Sequence, residues 1–225
     1  MDARAWEAVE QRIRAGFDEG DFRGGVTVAL QEYGPWLLGY LNVLLKTEDE
    51  AFEVFCQFSE DLWKGVAGFR WESAFRTWAY RLAYHAAMRH LRAGHRRPAR
   101  NVPLSRIQEL SRLQAEVRTT TRNFLRTEVK DELARLRETL SPEEQSLLTL
   151  RLDRGMSWEE IARVTLAEGD AADPAALRRQ AAALRQQLCR LKTRLAAALR
   201  QGDADPRGND PSGITHRRDG CSGPE

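Results

Sequence analysis

The chain has 225 residues, with 35 Lys and Arg against 33 Asp and Glu, a formal charge of +2, and it is 42% hydrophobic and 30% charged. This composition belongs to a folded chain rather than a disordered one, and the length allows one large domain or two small ones. The longest mostly apolar run, Trp36 to Leu45, is ten positions where a membrane-spanning helix needs about 20, the N-terminus lacks the apolar centre of a signal peptide, and three scattered cysteines, Cys56, Cys189 and Cys221, do not form a disulfide framework. No membrane association and a cytoplasmic location are expected.

In chain order the signals are almost all helical. Trp6, Val9, Ile13 and Phe17 recur at helical spacing before Gly20, Gly24 and Gly25 interrupt the pattern. The apolar stretch Val26 to Leu45 contains Gly34-Pro35, which predicts a kink or a split because proline lacks an amide donor and clashes with the preceding turn. Glu48 to Lys64 places Phe52, Phe55, Ser59, Leu62 and Trp63 on one face and Asp49, Glu50, Glu53, Gln57, Glu60 and Asp61 largely outward. Glu72 to Arg92 carries two stripes. Phe75, Trp78, Ala79, Leu82 and Ala86 should pack inward, while Arg76, Tyr80, Tyr84, His85, Met88, Arg89 and Arg92 take the remaining surface.

From Gly94 to Arg122 periodicity weakens, which suggests a linker with room for a short helix around Leu104 to Val117. Leu125, Val129, Leu133, Leu136 and Leu140 restart an amphipathic helix. Ser141-Pro142-Glu143-Glu144 and Ser157-Trp158-Glu159-Glu160 are capping-box starts. They predict helices near 142–152 and 158–168, joined by a turn at Asp153-Arg154-Gly155 and closed by Gly169. Asp173-Pro174 opens a long helix to about Arg200 with a line of Leu177, Ala181, Leu184, Leu188, Leu191, Leu195 and Leu199. The glycine- and proline-rich tail 201–225 has too little apolar surface to offset ordering entropy and is expected to be disordered.

The charge is segregated along these elements. Residues 47–62 hold six acids and no Lys or Arg, residues 70–100 hold eight arginines against one acid, and residues 177–200 hold seven Lys and Arg and no acid. Two basic blocks and an acidic one, all on expected helices, favour a polyanion partner. No phosphate loop, HExxH, GxSxG or CxxC occurs. His85, His90 and His95 are five apart, so each turns about 140° from the last on a helix and they cannot converge on a metal. No catalytic, cofactor or metal site is expected.

Three segments carry a family resemblance. FRWESAFRTWAYRLAYHAAMRHLR at 69–92 resembles the signature segment of bacterial RNA polymerase sigma factors of the extracytoplasmic-function class, with Phe75-Arg76-Thr77-Trp78 as its core. DEAFEVFCQFSEDLW at 49–63 is similar to the acidic helix that in this family docks on a coiled coil of the polymerase β′ subunit, and LSPEEQSLLTLRLDRGMSWEEIARV at 140–164 looks like the start of the second domain. The resemblance implies an all-α fold of two small helical domains joined by a linker, the second containing a helix-turn-helix. Its divisions would be an N-terminal helix and turn at 1–23, a domain for core polymerase and the −10 element at 24–97, a linker at 98–125, a −35 domain at 126–200, and the tail.

The same resemblance implies a transcription initiation factor, not an enzyme, whose partners are core RNA polymerase through its β′ and β subunits and promoter DNA, nucleoid-associated when on polymerase. Members of the class are commonly held by an anti-sigma factor. Core-polymerase contacts would be Asp49, Glu53, Gln57 and Asp61. Contacts to the −10 element would be Trp71, Ser73, Arg76, Tyr80, Tyr84, Met88 and Arg89, the aromatic residues stacking on bases and the arginines holding phosphates. Contacts to the −35 element would be Arg178, Arg179, Arg185, Gln186 and Arg190. About a dozen extra residues follow the EEIA segment, so two registers of the recognition helix are open: residue similarity favours 184–190, and the Asp173-Pro174 cap favours a start near 177. The competing readings are a stand-alone helix-turn-helix regulator of duplex operators and a helical scaffold without nucleic acid.

Overall fold

The computed structural model describes residues 3–93, 108–125, 139–167 and 173–202. Among them are eight α-helices and no strand: α1 (Ala3–Asp18), α2 (Phe22–Leu44), α3 (Glu48–Gly65), α4 (Phe75–Ala93), α5 (Gln108–Leu125), α6 (Pro142–Leu148), α7 (Trp158–Thr165) and α8 (Pro174–Gly202). A short 3-10 turn, Val66–Gly68, follows α3, and a π turn, Thr149–Asp153, continues α6. The expected all-α class is observed. No described helix is long and apolar enough to cross a membrane.

α2 is the central element, in contact with α1, α3, α4, α5 and α6. Its buried positions Val26, Leu30, Tyr33, Leu37, Tyr40, Leu41 and Leu44 run around more than one side of the helix, as expected for a helix wrapped by neighbours. Of the kink or split expected at Gly34-Pro35, the split does not occur, and one helix runs from Phe22 to Leu44 with Pro35 inside. The dipeptide instead admits α5. A Cβ on Gly34 would stand 2.7 Å from Val117 Cγ2, so only glycine lets the two helices approach this closely, and Thr121 Oγ1 donates to the Pro35 carbonyl at 3.5 Å.

Helix starts follow the capping chemistry of the sequence. Asp21, Thr47, Ser141 and Ser157 each accept from a first-turn amide, the last two within complete capping boxes. Gly155 takes φ +64 in the turn after the π segment, a left-handed conformation that suits a residue without Cβ. α7 ends at Thr165, earlier than expected, and Gly169 lies outside the described residues. The stretch expected to be a linker contains α5, longer and later than Leu104 to Val117, with Leu110, Leu113, Gln114, Val117 and Thr121 buried. The helix expected around 125–140 falls mostly outside the described residues, as does the tail from 203.

The described residues up to Leu188 form one compact unit and those from Cys189 a second. Within the first unit the two expected helical regions pack on each other, α7 against α4 and α6 against α2. Tyr40 and Ser146 share a buried 2.7 Å hydrogen bond across this packing. Burial raises the Tyr40 phenol far above its ordinary range and keeps it neutral.

Candidate nucleic-acid and protein interfaces

α3 concentrates Glu48, Asp49 and Glu50 in its first turn, where the positive end of the helix dipole favours carboxylates. Ala51, Val54, Phe55, Phe58, Ser59 and Leu62 are buried. Trp63, expected inward, is instead 40% exposed, because it follows Leu62 round the helix and out of the buried stripe. Asp49 and Glu53 are exposed, while Gln57 and Asp61 are half-buried. Two of the four already have cationic partners: Arg118 of α5 pairs with Asp49 at 2.5 Å, and Arg89 of α4 pairs with Asp61 at 2.7 Å. Gln57 Nε2 also donates to Asp61 at 3.0 Å. The Arg118 guanidinium lies 4.4 Å from the Phe52 ring, adding a cation–π contact to the ion pair. Cys56 on the same helix is half-buried, and burial pushes its thiol up to about 11, so it is not a reactive thiolate.

α4 is buried on two sides, against α2 and α3 and against α7. The outward placement expected for Tyr80, Tyr84 and Met88 is therefore corrected: all three are buried, at 1%, 9% and 4% exposure. Tyr80 meets Tyr40 edge-on at 5.3 Å, and burial raises the phenols of Tyr80 and Tyr84. Trp78 and Leu82, expected inward, are only half-buried. They line a cleft of about 540 Å³ with Phe69, Arg70, Glu72, Ser73, Arg81 and Arg163. Phe69 stacks on Trp78 at 4.9 Å, giving this cleft an aromatic wall among arginines.

The loop before α4 turns on Trp71, which has φ +57, rare for a bulky residue and held only where neighbours over-determine it. Its indole contacts Phe17, Phe69 and Phe75, with the Arg14 guanidinium 5.4 Å from the ring. Arg76, half-buried, reaches Glu160 of α7 at 3.3 Å, and Thr77 donates to the same oxygen at 3.4 Å. The other Glu160 oxygen closes the α7 capping box by accepting from Ser157 N at 2.7 Å. Burial opposes ionisation of Glu160, but the Ser157 hydrogen bonds and Arg76 outweigh it and hold the carboxyl below its ordinary range. His85 sits 3.0 Å from the Leu166 carbonyl, and burial, aided by Arg81, Arg89 and Arg92, lowers its pKa.

α7 and α8 cover the stretch in which a helix-turn-helix is expected. Asp173 accepts from Ala175 N at 2.9 Å and Ala176 N at 3.1 Å, so α8 starts at Pro174. Leu177, Leu184 and Leu188 are buried, while Arg178, Arg179, Arg185, Gln186 and Arg190 are exposed. Arg178 and Arg185 are seven apart on one face and line a second cleft of about 560 Å³ with Trp158 and Arg163. Arg151 and Arg185 lie 4.8 and 5.8 Å from the Trp158 ring.

Residues 29–97, spanning α2 to the end of α4, match the family described as Sigma-70 region 2. The chain is 28% identical to the RNA polymerase sigma-H factor of Pseudomonas aeruginosa over 158 residues, 69% of this chain and 81% of that protein. It is 30% identical to the ECF RNA polymerase sigma-E factor of Haemophilus influenzae over 105 residues, 45% of this chain and 56% of that one. These similarities support this chain as a sigma factor of the sigma-70 family. No solved structure matches it. Its partners as a sigma factor are core RNA polymerase and promoter DNA.

Four residues at or beside these candidate interfaces carried no sequence expectation as contacts: Glu10, Arg118, Glu160 and Arg163. Arg118 sits in a stretch expected to be a linker, and Glu160 was assigned only to its capping box, whose second oxygen has no sequence signature. Glu10 did have a signal. Ala74 stands immediately before α4, a position where a capping side chain is usual, and it has none to offer.

Proposed function

We propose that this sigma factor is of the extracytoplasmic-function class and acts in the cytoplasm as a dissociable initiation subunit. Asp49, Glu53, Gln57 and Asp61 present the acidic face of α3 to a basic surface of the polymerase β′ subunit. Trp71, Ser73 and Arg76 at the start of α4, and the exposed Arg89 near its end, receive the −10 strand, whereas Tyr80, Tyr84 and Met88 are buried and reach it only once the packing over them opens. No bond is broken in such a reaction. Opening is driven by binding unpaired bases, each unstacking costing a few kcal/mol against about 1–3 kcal/mol returned per base stacked on an aromatic ring.

The observation that carries this reading is the cleft beside the loop 69–74, where the stacked Phe69 and Trp78 stand among Arg70, Arg81 and Arg163. Aromatic walls with guanidinium rims suit an extruded base and its phosphates. An operator-binding regulator has no need of such a cleft, nor of an acidic helix next to it. For the −35 element, the Asp173 cap favours the register in which α8 enters DNA by its first turns, because the N-terminal residues of a recognition helix reach base edges. Arg178 and Arg179 then lead, and Arg185 follows two turns on.

Run-off transcription with core polymerase on genomic fragments tests the proposal. Discrete promoter-dependent transcripts, absent with core alone, are expected. Lack of any such transcript, together with failure to co-purify with core enzyme, overturns it.

A further inference from the structure

α1 precedes the stretch 29–97 that matches region 2, yet one of its faces is devoted to the start of α4. Trp6, Glu10, Arg14 and Phe17 fall at spacings of four, four and three, which places them along one side of the helix. Glu10 Oε2 accepts from the Phe75 amide at 2.8 Å and Oε1 from the Arg76 amide at 2.7 Å. The same Oε1 accepts from the Tyr33 hydroxyl at 3.0 Å, tying the carboxylate to α2. On either side of it the Arg76 guanidinium lies 5.4 Å from the Trp6 ring and the Arg14 guanidinium 5.4 Å from the Trp71 ring. Phe17 contacts both Trp71 and Phe75, each at 5.8 Å.

The need for this arrangement is local. First-turn amides of a helix have no partners within the helix and are normally satisfied by the residue just before it. α2, α3, α6 and α7 have such a residue in Asp21, Thr47, Ser141 and Ser157, and α8 has Asp173. At α4 that place belongs to Ala74, whose carbonyl takes the first-turn bond from Trp78 N at 3.2 Å but whose methyl accepts nothing. α4 takes its cap from a residue 65 positions away.

We propose that Glu10 is a positioning residue for strand opening: by holding the Phe75 and Arg76 amides it fixes the joint between the loop bearing Trp71 and the helix bearing Arg76. The inference rests on the reading of this face as the −10 site. Without the carboxylate the first turn of α4 is free to fray, and the separation between the Trp71 ring and the Arg76 guanidinium is no longer set. Glu10 itself touches no DNA in this scheme.

The test uses holoenzyme assembled from core polymerase and the full chain, on a promoter taken from a mapped transcript start, with permanganate reactivity of −10 thymines reporting opening. Glu10→Ala is expected to bind core polymerase as the wild type does and to open the promoter about tenfold more slowly, the factor that corresponds to losing a helix cap. Adding Ala74→Asp, which gives α4 a cap of its own, is expected to restore most of the rate. A role of Glu10 confined to packing of α1 would not be rescued in this way. Glu10→Gln preserves shape but leaves one amide without an acceptor, and it should show a smaller loss in the same direction; it replaces Glu10→Ala should that variant not fold. Wild-type opening in either Glu10 variant, or a loss that Ala74→Asp leaves unchanged, overturns the inference. Failure of the wild-type holoenzyme to open any promoter would instead overturn the reading of the site.

Discussion

α4 and α8 are both basic helices expected on DNA, and they are built in opposite ways. On α4, Phe75 is fully buried, Tyr80, Tyr84 and Met88 are buried, and Arg76 and Arg89 are ion-paired to Glu160 and Asp61. On α8 Leu177, Leu184, Leu188 and Leu191 are buried, and Arg178, Arg179, Arg185, Gln186 and Arg190 stand exposed. α8 presents its arginines to solvent as it is. The first turn of α4 is instead held by Glu160 of α7 through Arg76 and Thr77, and each charged hydrogen bond given up there would cost on the order of 1.5–3 kcal/mol. Similar charge on two helices thus carries different energetic requirements, and it is burial that separates them.

The largest expected effect follows directly. Phe75 meets Phe17, Phe69, Trp71 and Trp78 with no exposure, so Phe75→Ala should cost about 3–5 kcal/mol in denaturant unfolding. Arg178→Glu and Arg185→Glu, at exposed positions, should stay within about 0.5 kcal/mol of wild type. Each should nonetheless lower holoenzyme affinity for duplex −35 DNA by about 1–3 kcal/mol and flatten its salt dependence. Equal stability losses in the two helices would erase the distinction drawn between them.

A smaller effect tests the contact between α4 and α7. Glu160→Ala removes both the capping-box oxygen and the partner of Arg76 and Thr77, and should cost about 1–2 kcal/mol. Glu160→Gln retains a capping-box side chain but, with one acceptor oxygen, gives up both the charge and the acceptor facing Arg76 and Thr77, so its cost should be about 1 kcal/mol. Because it releases Arg76, the Gln variant should bind forked −10 DNA more tightly than wild type. Unchanged affinity by fluorescence anisotropy would mean that the ion pair does not hold this face closed.

What could be read from the sequence was local chemistry. Ser141, Ser157 and Asp173 announced three helix starts because a cap and its amides lie within four residues. The acidic and basic blocks were visible because charge is additive along a helix. The inward face of α4 was not, because aromatic residues occupy both of its sides and only tertiary packing decides that Tyr80 is buried, edge-on to Tyr40 of α2, while Trp78 borders a cleft. At Pro35 the cost of proline was legible, but the close approach of Val117 at Gly34 requires a partner helix that no local pattern reveals. Of the site residues, those exposed on α8 were readable as exposed, and those on α4 depended on tertiary contacts.

The smallest expected effect is a pH dependence that belongs to α4 and has no counterpart on α8. His85 is half-buried, its Nε2 lies 3.0 Å from the Leu166 carbonyl, and its pKa falls below the ordinary 6.5, with burial the largest cause and Arg81, Arg89 and Arg92 adding to it. The neutral ring donating Nε2–H to that carbonyl is therefore the folded form. A histidine whose folded pKa is depressed binds more protons when unfolded, so its contribution is fully present above pH 6.5 and is lost as pH falls toward the folded pKa. Thermal unfolding of the wild type should fall more steeply between pH 7 and 5 than that of His85→Gln, which keeps a donor and removes the titration. Because burial is the first cause, the excess slope should survive added salt, which screens the three arginines but not desolvation. A slope that vanished in salt would assign the shift to those arginines and remove His85 as a marker of how tightly α7 covers α4.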